Sequence, residues 1–312
     1  MLGGFGRVFA ASDSADEYIR LAREGVAVAK ASGDAGVFVA CSAQLSQACL
    51  FAGQVREGLA ANDAAVAGLE NDRSPSQGGV VLGLSASQIF GFDVPQWLRC
   101  LRTRTLVLLG RFDEAEATLA SVLAVDRSKI LPVVQYHAHL AAVEMAWHRG
   151  DAAAAERHAT EVERYAVQSQ MPYLRTVALF CAGLAESTGG DFAAASAHLG
   201  EALTLARQSR TGLENEARLL SFLADTHDRA GDFTLTAKVA AEAISVGRRR
   251  TDRIAELHAQ VVAAHALAVA DPKRKAEARE HLDQAQRLIE TTGTAFFNLL
   301  LNRAKAKLTE AT

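Results

Sequence analysis

Nine histidines, four cysteines and several glycine-rich stretches are the parts of this 312-residue chain that could carry chemistry. A glycine loop cradles a phosphate when a strand leads into it and a lysine is placed to follow. "GGFGRV" at Gly3 to Val8 has neither, and "GGVVLGLS" at Gly78 to Ser85 lacks the Gly-Lys-Ser/Thr that grips a phosphate. Nucleotide binding is not expected at either loop. A metal ion needs several donors on one side. His137 and His139 are two apart and face different ways on a helix. His258 and His265 are seven apart and can share a face, but no carboxylate or cysteine in the pattern completes a set. Cys41, Cys49, Cys100 and Cys181 show no Cys-x-x-Cys spacing and fall in apolar stretches, so they read as reduced core thiols. Cys41 and Cys49 can share a helix face, yet eight residues of helix rise roughly 12 Å, beyond disulfide reach. No serine, histidine and acid stand at a spacing that identifies a nucleophile, and no cofactor is expected.

What remains is a scatter of polar side chains: Arg99, Arg102, Gln135, His139, Arg175, Glu214, Arg218 and His258. They form a binding surface only if the fold brings them to one face. Several arginines grouped there would suit an acidic peptide or a chain-end carboxylate. The most basic run, "GRRRTDR" at Gly247 to Arg253, ends one helix and opens another, where cations complement a helix C-terminus.

The elements that would position these residues are helical throughout. The composition is 49% hydrophobic and only 6% aromatic, with 5 prolines. That content can bury a large core. A net charge of −3 offers no global field to recruit nucleic acid or an anionic membrane. No run of eighteen apolar residues marks a membrane span, and "MLGGFGRVFAAS" lacks the unbroken apolar core of a signal peptide. A cytoplasmic protein that binds neither nucleic acid nor membrane is expected.

A repeat dominates the pattern. Turns of one type begin at Gly110 ("GRFDEAEATL"), Gly150 ("GDAAAAERHA"), Gly190 ("GDFAAASAHL") and Gly231 ("GDFTLTAKVA"), at intervals of 40, 40 and 41 residues. A weaker copy starts at Gly53, and in a last one Asp271-Pro272 replaces the glycine. Five residues after the glycine comes a small residue: Gly58, Ala115, Ala155, Ala195 or Thr236. Nine after it stands Leu119, Ala159, Leu199 or Ala240, and twelve after it Val122, Val162, Ala202 or Ala243. Steps of four and three keep these on one helical stripe. The unit is helix, glycine turn, helix. The glycine permits the positive φ that ends the first helix, and the following Asp or Arg opens the second. The small residues are spacers that let the two helices approach, with Phe112, Phe192 and Phe233 beside the turns.

Stacked hairpins of this kind build a solenoid in which each unit covers its neighbour's apolar face. The pattern predicts fourteen helices, near 15–33, 36–53, 55–71, 95–110, 112–125, 131–149, 152–168, 172–188, 192–208, 213–230, 233–249, 252–270, 273–291 and 294–309. The irregular segment Asn71 to Asp93 interrupts the period, either as an insertion covering the groove or as a longer connection, with a short helix expected within 79–90. No linker divides the chain, so residues 1–312 are expected to form a single solenoid domain of about seven hairpins. The first helix of each hairpin would line the concave face, which is why the eight polar residues above are the candidates for binding.

Gly183, Gly190, Phe192, Ala195, Leu199, Ala202 and Leu205 stand where the tetratricopeptide repeat wants its small and large residues. The chain resembles that family, and the resemblance implies an all-α, right-handed alpha-alpha superhelix. Its period near 40 exceeds the usual ~34, so each helix should be longer by a few residues. "ADEYIRLAREGVAVAKASGD", "GFDVPQWLRCLRTRTLVLLGRFDEA", "ENEARLLSFLADTHDRAGD" and "RIAELHAQ" follow one another in an order similar to the helical region of bacterial class III adenylate cyclase-like proteins. Those proteins carry cyclase and STAND-type AAA+ ATPase modules, and LuxR-type regulators carry related solenoids. The resemblance implies a non-catalytic sensor or partner-binding arm, its partner a protein or peptide, or an ATPase or cyclase module in cis. A free-standing adaptor is the alternative. No cyclase, ATPase or helix-turn-helix pattern is present, so the chain looks like a detached arm, either a fragment of a longer protein or an independent reading frame. The opening "MLGGFGRVFAA" fits a helix cut from a preceding repeat, with an apolar end that would be sticky.

Overall fold

The chain is seen in a computed structural model that describes residues 14–72, 84–125 and 131–310. "GGFGRV", the helix expected from the opening residues and most of "GGVVLGLS" lie outside these. The described residues contain fifteen α-helices and no strand. They are α1 (Ala15–Ser32), α2 (Ala35–Ala52), α3 (Val55–Asp72), α4 (Ala86–Phe90), α5 (Val94–Leu108), α6 (Phe112–Leu123), α7 (Pro132–Arg149), α8 (Ala152–Ser169), α9 (Pro172–Gly189), α10 (Phe192–Ser209), α11 (Glu216–Arg229), α12 (Phe233–Arg250), α13 (Arg253–Ala270), α14 (Lys275–Thr292) and α15 (Asn298–Glu310). Each expected helix is present. The expected 213–230 helix opens instead as a 3-10 turn, Leu213–Asn215, and the one at 273–291 is likewise preceded by Pro272–Arg274. The short helix within 79–90 is α4, held by a capping box between Ser85 and Gln88.

The hairpin turns are set locally. Gly190 closes α9 at φ 89°, and Asp191 then accepts a hydrogen bond from Ala194 N–H to start α10. Asp151 and Asp232 cap α8 and α12 the same way. Inside the hairpins, Ala115, Ala155, Ala195 and Thr236 are fully buried. A Cβ on Gly183 would lie 2.7 Å from Leu199 Cγ, so α9 and α10 touch where the spacing stripe runs. The turn from one hairpin to the next carries a second left-handed residue, which is not glycine: Gln170, Arg210 and Thr251 have φ of 54°, 48° and 59°. These recur with the repeat but have no signature in residue type.

Helix α2 has a mean hydropathy of 1.5 over 18 residues, enough by length and composition to cross a membrane, yet most of it is buried inside the fold. It packs between α1 and α3. All four cysteines are free, and burial pushes the Cys49 and Cys100 thiols up to about 12.

The hairpins coil into a superhelical solenoid whose early and late turns meet. Thr251, after α12, donates to Asp16 of α1 at 2.7 Å and lies 3.0 Å from the Ser14 hydroxyl. The segment between α14 and α15 reaches α5, where the backbone N–H groups of Ala295 and Phe296 donate to the Leu108 carbonyl at 3.2 and 3.3 Å. First helices therefore face one another across a filled axis. Glu144 of α7, fully buried, stands 2.7 Å from Arg218 of α11 and 3.7 Å from Arg104 of α5. Next to this cluster the rings of Trp147, Phe222, His258, Phe296 and Phe297 pack together; His258 stacks on Phe297 at 4.4 Å.

Candidate ligand-binding site

The sequence candidates do not share one face. Arg99 is exposed and donates to Gln96 of its own helix. Arg102 pairs with Asp63 of α3. Gln135 and His139 are buried against α8, where the Tyr165 hydroxyl donates to Gln135 and His139 Nδ1 lies 3.0 Å from His158 Nδ1. Arg175 is held by Glu163 at 2.6 Å in an outer groove. Glu214 is buried in the 3-10 turn before α11. Only Arg218 and His258 join the axial interior described above, and there they are core residues. Burial lowers the Arg218 pKa, and Glu144 opposes that shift.

A triad by type lies in this interior. Ser221 Oγ is 3.2 Å from His258 Nδ1, and His258 Nε2 is 3.7 Å from Asp225 Oδ1. Residue spacing did not disclose it, because Ser221 and Asp225 are on α11 and His258 is on α13. The geometry does not serve nucleophilic attack. Ser221 and His258 are fully buried, the serine hydroxyl donates to the Arg218 carbonyl at 2.9 Å, and the aspartate lies beyond hydrogen-bond distance.

Beside this interior, α7, α11, α13 and α15 line a half-open cavity of about 500 Å³. Trp147 and His148 line it from α7, Val261 and Val262 from α13, and Leu299 and Leu300 from α15. Its volume lies in the range of small-ligand pockets. Three further lining residues decide its chemistry. Asp225 and Asp228 of α11 stand one helical turn apart, and His265 of α13 places Nδ1 2.7 Å from Asp228 Oδ2. The hydrogen bond to Asp228 raises the His265 pKa, while burial raises that of Asp228. His258 and His265 thus do share a face, and each meets its own aspartate from α11. These aspartates come from another helix, so spacing along α13 does not show them. Among the described residues, no group of three or more His, Cys, Asp and Glu is arranged to hold a metal ion.

Sequence reasoning missed Asp225 and Asp228 although a signal was there. Asp228 sits in the last turn of α11, where unpaired backbone carbonyls make a negative side chain locally unfavourable. A local rule broken in this way marks a site with another purpose.

Outer grooves also run between successive second helices. The one over α9, about 560 Å³, has an alanine floor and carries Glu163, Arg175, Glu186 and His198. Its charges are already paired with each other, His198 to Glu186 at 2.8 Å and Arg175 to Glu163 at 2.6 Å. Beside the inner cavity, Asp225 Oδ2, Asp228 Oδ1 and Trp147 Nε1 are buried from solvent with no hydrogen-bond partner among the described residues.

A known protein shares this architecture. The fold is similar to the crystal structure of a Rap protein complexed with Competence and Sporulation Factor, with a TM-score of 0.57 and 10% identity over 95% of this chain and 82% of that one. In all, 35 solved chains match it. At such identity the likeness concerns the fold alone: an all-α superhelical solenoid of the tetratricopeptide type. No protein-family model and no curated protein matches the chain.

Proposed function

We propose that this chain is a non-catalytic regulatory solenoid, one domain over residues 1–312, that binds a short peptide in its inner cavity and passes that state to another protein. The observation that carries the reading is the 500 Å³ cavity lined by α7, α11, α13 and α15, helices from separate parts of the chain. A ligand there touches α7, α11, α13 and α15 at once, so its binding energy couples elements far apart in the chain. That the Rap protein of similar fold is complexed with a factor supports a ligand-binding role. The output side is proposed from the sequence resemblance: an ATPase or cyclase module in cis, in the cytoplasm, with no cofactor of the solenoid's own and no nucleic acid or membrane contact. A free-standing adaptor is the second reading, separated from the first by whether an ATPase module is encoded in frame upstream.

A displayed library of random short peptides, selected against the purified chain, tests the binding role. Leu299→Trp serves as the control because Leu299 lines the cavity and is 44% exposed, so a larger ring there fills the cavity from its edge. Enrichment of a peptide motif by the wild type, lost with Leu299→Trp, is expected. No enrichment, or equal enrichment by both, overturns the cavity as the site. ATP hydrolysis or cyclic AMP formation by the isolated chain overturns the non-catalytic role.

A further inference from the structure

One stretch of the chain is held by the rest as a ligand would be. Residues 293–295, after α14, form neither helix nor turn, and Phe296 and Phe297 bend into α15. At the end of α5 the carbonyls of Thr105, Leu106 and Val107 accept from the local turn. The next carbonyl, Leu108, accepts from the Thr294 hydroxyl, 186 residues away. It also accepts from the backbone N–H groups of Ala295 and Phe296, at 3.2 and 3.3 Å. Carbonyls at a helix end need partners from outside the helix, and an extended segment supplies them here. The two rings that follow are anchors, each 1% exposed. Phe296 stacks on Trp147 at 5.8 Å and lies 5.0 Å from the His148 ring, while Phe297 stacks on His258 at 4.4 Å. Main-chain hydrogen bonds joined to side-chain pockets are how a groove grips an extended peptide. The helix that follows is less enclosed. α15 packs on α13 and α14 and buries Leu301, Ala304 and Leu308. Toward α7 and α11 it faces the half-open cavity, where Leu299 stays 44% exposed. Interiors are close-packed, so a gap of that size beside a helix marks the element that parts from the fold at lowest cost.

We propose that Thr294 to Phe297 is a tethered occupant of the axial groove between α5, α7 and α13, and that an extended peptide segment with two adjacent aromatic residues, carried by a partner protein, takes its place and frees α15. The chain's own segment defines that partner's chemistry: backbone donors for the Leu108 carbonyl, then one ring for the face of Trp147 and one for His258. The tether sets the competition. A segment joined to its site acts at an effective concentration on the order of millimolar, so a displacing peptide must match that. The freed α15 is then the surface that a second protein can read. This goes beyond the cavity as a ligand site, since it concerns a groove that the chain already fills.

The test uses the whole chain and two synthetic peptides, acetylated and amidated: GTAFFN, the sequence of residues 293–298, and GTAAAN as its control. In the wild type, millimolar GTAFFN should speed amide hydrogen exchange in α15 by at least ~10-fold and leave α13 unchanged. GTAAAN should change neither. The Phe296→Ala/Phe297→Ala chain should melt below wild type and regain its midpoint saturably with GTAFFN. It should bind that peptide at least ~10-fold more tightly than wild type does, because its own segment no longer competes. If that chain does not fold, the exchange measurement decides alone, since it needs no substitution. No response of α15 to GTAFFN, or the same response to GTAAAN, overturns the proposal. Equal GTAFFN affinity in a folded double variant and wild type overturns it as well. Library peptides lost with Leu299→Trp, together with no GTAFFN response, would keep the cavity reading and remove this one. A GTAFFN response with no library peptide selected would do the reverse.

Discussion

Gly53, at the end of α2, is packed against Ile254, at the start of α13. A Cβ on Gly53 would fall 2.9 Å from Ile254 Cγ1 and 3.1 Å from the Ile254 backbone nitrogen. Tetratricopeptide-type solenoids are quasi-one-dimensional, each repeat touching only its neighbours. Here an early hairpin also touches a late one, and the superhelix closes on itself.

Two glycine substitutions separate that closure from backbone strain. Gly33 and Gly53 share a φ of 71°, but a Cβ on Gly33 meets nothing within 4 Å. Gly33→Ala should therefore cost only the left-handed strain, about 1 kcal/mol. Gly53→Ala adds the collision with Ile254, roughly 1–3 kcal/mol more. Urea unfolding of both variants measures the difference, and equal losses would mean the early and late turns are not in contact in solution.

The stripe of small residues is tested at its centre. Ala195 is fully buried between α9 and α10. Ala195→Leu should destabilise the chain by about 1–3 kcal/mol through overpacking. An unchanged thermal midpoint would show that the helices can spread at no cost.

The turns between hairpins offer a stabilising change. Arg210 caps α10 at φ 48° and ψ 43°, a conformation that L-residues adopt at a cost. Arg210→Gly should stabilise by about 0.5–1 kcal/mol, the strain relieved less the extra chain entropy of glycine. Ser209→Gly, one residue earlier and still helical, should destabilise by a similar amount. The two melting shifts should have opposite signs.

Asp252 sets a pH dependence. It caps α13 by accepting from Ala255 N–H, and burial pushes its pKa up from 3.8 to about 6. The unfolded chain therefore releases this proton at lower pH than the folded one. Stability from this group is present below about pH 4 and is lost as the pH rises through 6. Asp252→Asn keeps a capping oxygen and removes the charge. It should stabilise by roughly 2–3 kcal/mol at pH 7 and by almost nothing at pH 3. Denaturant titrations at the two pH values check it.

The hairpins were legible because their determinants are local. A glycine that ends one helix, an aspartate that caps the next and alanines at fixed offsets all lie within about twenty residues of each other. Arg210 in a left-handed turn was not legible, since nothing in its type marks it. The closure was invisible for a different reason. It depends on small rotations per repeat that add up along the chain, and on contacts such as Gly53 with Ile254 that no local pattern encodes. The site shows both limits at once. The sequence places Arg218 and His258 on a groove, whereas the structure puts them in the interior beside the cavity. Asp225 and Asp228 are not among the sequence candidates, because the histidines they meet, His258 and His265, come from another helix.

The meeting of Ser14, Asp16 and Gly53 with Thr251 and Ile254 also has a consequence during synthesis. Residue 254 leaves the ribosome well after residue 53, and at ~5–20 residues per second the interval is roughly 10–40 s. Through most of that time α1 to α3 have emerged while the surface that covers them has not. The nascent chain therefore holds a finished hairpin with an unfinished face, and only the arrival of α13 hides it.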